Sequence, residues 1–157
     1  MTSARPPQGE PPSLGPTLDF LRLLWVLDHA LQRRSKRMAR DLGLTGPQRL
    51  VVRIVGRFPD IAAGELAALL SVHPSTLTGI LQRLEKGGLL QRRLHPSDRR
   101  RVLLALTERG RALDSDDPNT VEGALERVQR RLHESELAGA AKLLRELTHE
   151  LEDGRSG

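Results

Sequence analysis

The ten residues HPSDRRRVLL, His95 to Leu104, join a turn signal to three consecutive arginines and then to a purely apolar run. Guanidinium groups are permanently charged, planar donor forks that suit phosphate oxygens and base edges. Pro96-Ser97-Asp98 supplies turn chemistry, so Arg99, Arg100 and Arg101 are expected at the tip of a loop. A second set of polar groups comes shortly before it. In SVHPSTLTGILQRLEKGG, helical spacing puts Leu77, Ile80, Leu81 and Leu84 on one face. The other face carries Ser75, Thr76, Thr78, Gly79, Gln82 and Arg83. A merely solvated face more usually carries Glu and Lys. Short hydroxyls and glycine let a helix lie close to a surface, while Gln and Arg bond phosphates and base edges.

Charge distribution agrees with that chemistry without proving it. The 157-residue chain has a formal net charge of +5. From His73 to Arg111, nine Lys and Arg stand against three Asp and Glu, so the excess is local and the rest of the chain is close to neutral. A confined basic patch points to a polyanion, nucleic acid before membrane. Charge alone leaves a solvated basic surface equally open.

Composition bounds the rest. Aromatic residues make up 2 % of the chain, so the core must be aliphatic and is expected to be largely helical. The absence of cysteine excludes disulfides, thiol redox switching and thiolate metal sites. The N-terminal stretch is Pro-rich without an apolar core segment, so a signal peptide is not expected. No run of 18 apolar residues predicts a membrane span, and a cytoplasmic location is the simplest expectation. The histidines, at 29, 73, 95, 133 and 149, are scattered, so no metal site is expected, and His73 beside Pro74 suits a cap or a phosphate contact. An enzyme is not supported: there is no Gly-rich phosphate loop, no suggestive Ser/His/Asp spacing and no carboxylate pair in an apolar setting. Asp114, Asp116 and Asp117 read as a turn or a helix start.

Other elements must position these groups. Residues 1–16, with five prolines, read as a disordered tail. A long helix is expected from Thr17, as N-cap, to about Asp41, with Asp19 at the positive end of its dipole. Its apolar face runs through Leu21, Leu24, Trp25, Leu27 and Leu31, and the basic second half, QRRSKRMAR, is expected to be exposed on most sides. Thr45, Pro47 and Gln48 form a capping-box start for a second helix with Leu50, Val51, Ile54 and Val55 as its stripe, ended by Phe58-Pro59. An extended piece and a third helix over about Ala63 to Leu70 follow, with a weakly specified start. Pro74 opens the fourth helix and Gly87-Gly88 stops it. Two short helices joined by SVH, followed by strand, turn and strand, make a winged helix-turn-helix.

The stretches LGLTGPQRLVVRIV and GELAALLSVHPSTLTGILQRLEKGGLLQRRLHPSDRRRVLLALTERGRAL resemble the MarR family of bacterial transcriptional regulators. Most specific is Asp98-Arg99-Arg100 followed by an apolar strand and Leu106-Thr107-Glu108-Arg109-Gly110. The resemblance covers roughly residues 18–150. It implies a mainly α fold with a small β-hairpin wing, and a homodimer that binds a palindromic site on double-stranded DNA, most simply as a repressor. Residues 17–42 and 108–157 would form a helical dimerisation layer and residues 43–107 the DNA-binding domain. Arg100 would enter the minor groove, held by Asp98, with Arg99 and Arg101 meeting phosphate or solvent. Ser75, Thr76, Thr78, Gln82 and Arg83 would meet the major groove, and Arg92 joins the expected DNA contacts. The sequence itself agrees on pairing: Val121, Leu125, Val128 and Leu132, then Leu137, Ala140, Leu144, Leu147 and Leu151, recur at helical spacing in terminal segments that need a partner.

Three points stay open at this level. The fifth helix, continuous in the family, is interrupted by LDSDDPNTVE, so a kink or break is expected near Ser115–Asn119, or a fresh helix at Asp117-Pro118. Trp25, His29 and Arg33 line one strip of the first helix, either as a stacking and pairing site for a small anionic or phenolic effector or as interface residues with solvated neighbours. The competing function is an architectural DNA- or RNA-binding winged-helix protein, which needs the basic wing but no palindrome.

Overall fold

In the computed structural model, residues 12–98 and 100–153 are described; the expected tail over residues 1–16 lies mostly outside them. The order is α1 (Pro16–Leu42), α2 (Gly46–Arg57), β1 (Ile61–Ala62), α3 (Ala63–Leu70), α4 (Pro74–Lys86), β2 (Leu90–Leu94), β3 (Val102–Leu106), α5 (Glu108–Ala112), α6 (Val121–Gln129) and α7 (Glu134–Asp153). Two compact units divide at Asp114 and Ser115.

In the first unit, the extended piece before α3 becomes a strand. The antiparallel sheet runs β1-β3-β2, with Ile61 opposite Leu104 and Leu90 opposite Leu106. Its inner face and three helices enclose Val51, Val52, Val55, Leu66, Leu77, Leu81, Leu84, Leu90, Leu104 and Leu106, all buried. The core is wholly aliphatic: Phe20, Trp25 and Phe58 are all exposed.

The α2 start forms as expected. Thr45 Oγ1 accepts from the Gln48 N–H at 3.4 Å, and Gln48 Oε1 accepts from the Thr45 N–H at 2.9 Å. The buried face differs from the expected stripe. Leu50 is exposed, whereas Val52 and Arg49 are buried. The Arg49 guanidinium donates to the Leu113 carbonyl at 2.8 Å, which is what makes burial of a charged side chain tolerable. One turn on, Arg53 donates to the Asp114 carbonyl at 2.8 Å and to its carboxylate at 3.0 Å. Gly56 faces that carboxylate, and a Cβ there would lie 1.9 Å from an Asp114 oxygen. α3 begins at a residue that cannot cap, so Glu65 Oε2 takes the Ala62 N–H at 3.0 Å.

α1 departs from expectation at its start and ends, as expected, near Asp41, at Leu42. Its N-cap is Gly15 at φ 89°, and Thr17 is inside the helix. Asp19 reaches back to the Leu14 N–H at 3.3 Å and accepts from Ser13 Oγ at 3.0 Å, satisfying donors ahead of the helix. The basic second half is exposed on most sides, as expected, with Gln32, Arg33, Lys36, Arg37 and Arg40 in solvent. One side of it is seated, through buried Met38 and a 2.8 Å bond from the Gly46 N–H to Ser35 Oγ. The apolar half, with Leu18, Leu21, Leu23, Trp25, Val26, Leu27 and Leu31, stays exposed.

After β3 the Leu-Thr-x-x-Gly segment turns the chain. Thr107 Oγ1 caps α5 by accepting from the Gly110 N–H at 3.0 Å and donates to the Gly88 carbonyl at 2.7 Å. The Thr107 N–H donates to the Leu89 carbonyl at 3.1 Å. Gly110 is buried, and a Cβ there would sit 2.0 Å from the same Leu89 oxygen. α5 then stops at Ala112, and the expected interruption is present but wider than Ser115–Asn119.

The second unit starts its helix at Val121, with Thr120 rather than Asp117-Pro118 at the start. Buried Thr120 Oγ1 donates to the Asp117 carbonyl at 2.6 Å and accepts from the Gly123 N–H at 3.2 Å. Gly123 lets Asp117 come close, since a Cβ would meet its carbonyl at 2.5 Å. α6 ends at Gln129, so Leu132 lies beyond it, in the turn before α7. α7 buries no residue, and Leu125, Val128, Leu143, Leu144 and Leu151 remain exposed.

Gly110→Ala should cost about 3 kcal/mol in urea unfolding, because the added methyl meets backbone rather than a flexible side chain. Gly64→Ala, where a Cβ meets nothing within 4 Å, should be neutral or stabilise by up to ~1 kcal/mol in the same assay.

Candidate nucleic-acid interface

α4 owes its position to both ends. His73 Nδ1 accepts from the Ser75 N–H at 3.3 Å as N-cap, so the expected capping role for this histidine is realised. Pro74 occupies the first turn, where its missing N–H costs nothing. Leu77, Leu81 and Leu84 anchor the inner face, and Ser75, Thr76, Thr78, Gln82 and Arg83 are exposed. Two of the expected contacts are engaged within the chain. Ser75 Oγ lies 2.7 Å from His73 Nδ1, and Thr78 Oγ1 donates to the Pro74 carbonyl at 2.8 Å. The Thr78 oxygen keeps lone pairs but no spare donor. Among the described residues, Thr76, Gln82 and Arg83 make no side-chain hydrogen bond. Gly79 lies on the same face, and a Cβ there would meet nothing within 4 Å.

The wing follows the expected turn. Paired strands end at Leu94 opposite Val102, and His95 N–H donates to the Arg101 carbonyl at 3.0 Å. Asp98 organises the tip: its Oδ1 accepts from the Arg100 N–H at 3.0 Å and lies 3.6 Å from Arg100 Nε, and its carbonyl accepts from the Arg101 N–H at 2.9 Å. The Arg100 side chain is 95 % exposed. Arg99 lies outside the described residues.

The other wing arginines have carboxylate partners that pattern reading missed. Arg101 donates to Glu65 Oε1 at 2.6 Å, Arg92 Nε to Glu85 Oε2 at 2.9 Å, and Arg93 pairs with Asp60. Arg101–Glu65 and Arg93–Asp60 join residues more than thirty positions apart, so no local spacing announces them. Arg92–Glu85 joins a strand to the helix before it, which only the hairpin's placement could have suggested.

On α1, Trp25 and His29 are stacked with centroids 5.1 Å apart, and His29 Nδ1 lies 2.9 Å from the Trp25 carbonyl oxygen. They and Arg33 are exposed on open helix surface. A concavity of about 340 Å³, bounded by Gly56, Asp60, Arg93, Arg111 and Asp114, lies apart from them. So does one of about 480 Å³ between α3 and the start of α4. Among the described residues no group of His, Asp and Glu could hold a metal ion, and no helix is long and apolar enough to cross a membrane.

Known proteins are similar to this chain in sequence and fold. The transcriptional repressor Rv2887 of Mycobacterium tuberculosis is 33 % identical over 110 residues, covering 70 % of this chain and 79 % of the relative. The homoprotocatechuate degradative operon repressor of Escherichia coli is 31 % identical over 110 residues, covering 70 % of each chain. A mutant MarR from E. coli, solved in complex with operator DNA, is 27 % identical with a TM-score of 0.65, over 83 % of this chain and 94 % of that one. The sequence model of the MarR family matches residues 44–102, the stretch that runs from the α2 cap through the arginine tip. With a capped α4, a carboxylate-organised wing and that degree of likeness in hand, the chain belongs to the MarR family, as a winged helix-turn-helix regulator of transcription.

Proposed function

We propose that the protein is a homodimeric, sequence-specific repressor that reads a two-fold symmetric DNA site. One observation carries this reading: a polar α4 face with unengaged Gln82 and Arg83 shares one compact unit with a wing whose Arg100 stands in solvent, held only at its base by Asp98. In this reading Gln82, Arg83 and Thr76 meet base edges and phosphates in the major groove, with Ser75 and Thr78 accepting or bonding through their oxygens. Arg100 enters the minor groove, whose narrow, electronegative floor attracts arginine. Arg99, Arg101 and Arg92 lie along the backbone. The apolar half of α1 and the exposed faces of α6 and α7 are the dimer surface, because that much apolar area is not left in water by a monomer. Two copies then present two α4 helices to half-sites about one helical turn apart. The site of action is the cytoplasm, with the DNA.

Trp25 has two readings. Its 68 % exposure on the unpartnered face of α1 favours an interface role. An effector site built from Trp25, His29 and Arg33 is the second, supported by the stacked pair but not by a concavity around it.

Footprinting on DNA selected by the protein from a random pool tests the reading: a symmetric protected site supports it, and uniform, sequence-independent protection favours an architectural protein. Sedimentation equilibrium should give twice the chain mass. Arg100→Ala should weaken operator binding by about 1–3 kcal/mol, and unchanged affinity with an unchanged salt slope would remove the wing assignment. Gly79→Ala should separate stability from binding. It should raise the unfolding free energy by about 0.5–1 kcal/mol, as Gly to Ala does in a helix, while lowering operator affinity because the methyl stands on the surface that meets DNA.

A further inference from the structure

Each described wing arginine has an acidic neighbour, yet the pairs are not equivalent. Asp98 belongs to the wing itself, and Asp60 sits in the loop before β1. Glu65 does two jobs on two different elements. Its Oε2 closes the start of α3 by taking the Ala62 N–H at 3.0 Å, while its Oε1 takes Arg101 at 2.6 Å. Arg101 is the last loop residue before β3, adjacent to the strand that β1 joins. One carboxylate therefore ties the root of the wing tip to the first turn of the helix-turn-helix, across 36 positions of sequence.

This carboxylate has two physical consequences for a DNA-binding surface. It supplies Arg101 with an internal counter-ion, so a phosphate that recruits this arginine must displace a partner of the same sign. Sequence-independent affinity is almost wholly electrostatic, and each neutralised phosphate contributes to its salt dependence. The bond also restrains the wing before DNA arrives, which lowers the ordering cost of inserting Arg100. The first effect depresses binding to any DNA. The second favours only the complex in which the wing is seated.

Resting on the DNA-binding reading above, we propose that Glu65 is a specificity-determining residue: through Arg101 it suppresses indiscriminate binding and holds the wing for its operator. The conservative variant is Glu65→Gln, because an amide oxygen still accepts from the Ala62 N–H and keeps the α3 start. With the full-length protein, binding is measured by anisotropy to poly(dI·dC) and to a duplex that the unaltered protein has selected from a random pool, each over a range of salt. Glu65→Gln should bind poly(dI·dC) about threefold more tightly, the size expected of one partly exposed ion pair, with a salt slope steeper by about 1. Selected-duplex affinity should stay level or fall, so the ratio of the two drops. The double variant Glu65→Gln/Arg101→Gln should return poly(dI·dC) binding to the unaltered level. An unchanged ratio in the single variant, or a double variant as tight as the single one, overturns the role of Glu65. Failure of the unaltered protein to select any duplex instead overturns the regulator reading, whatever Glu65 does.

Discussion

The close approach of Gly110 to the Leu89 carbonyl is the contact on which the DNA-binding unit depends. It occurs where the chain leaves α4, starts the hairpin, and later leaves the hairpin again. Thr107 bonds the Gly88 carbonyl and caps α5, and its own N–H bonds Leu89. A side chain at residue 110 would force these backbones apart. The strands of the wing are thus fixed at their base by two residues, Thr107 and Gly110, of one short motif. From that base, five paired positions carry the register out to Leu94 and Val102, and the arginine tip inherits its direction.

A second set of restraints acts from α2. Arg49 and Arg53 grip the carbonyls of Leu113 and Asp114, at the last residues of the first compact unit, and Gly56 leaves room for the Asp114 carboxylate. Guanidinium groups suit this task because several donors leave one rigid plane, so one side chain can serve both a carbonyl and a carboxylate. The helix that buries the aliphatic core on one face thereby fixes the end of α5 with another.

Local signals were legible in the sequence where one side chain determines one backbone event. The Thr45–Gln48 box, Pro74 in a first turn, the Gly87-Gly88 stop and the Pro-Ser-Asp turn all stand where their chemistry places them. The interruption after α5 was legible as well, though Thr120 starts the new helix, because its hydroxyl both caps and bonds Asp117 where proline could only permit. Less legible were choices settled by contact at a distance. Leu50 fits an apolar stripe as well as Val52 does, and only the packing of α2 decides between them. The carboxylates facing Arg92, Arg93 and Arg101 come from three different elements. In α1 the pattern marks Gln32, Arg33, Lys36, Arg37 and Arg40 as exposed, and they are, but it does not single out Met38, which only the packing against the rest of the unit buries.

The exposed apolar half of α1 bears on how much protein a cell must hold. On the dimer reading, a helix that buries only Met38 on its own chain, with its apolar half facing water, is completed by a second copy, and such completion obeys mass action. In that reading, the population of intact α1 rises and falls with the number of chains present. Dilution would then loosen the first half of this helix well before it disturbs the aliphatic core between α2 and the sheet.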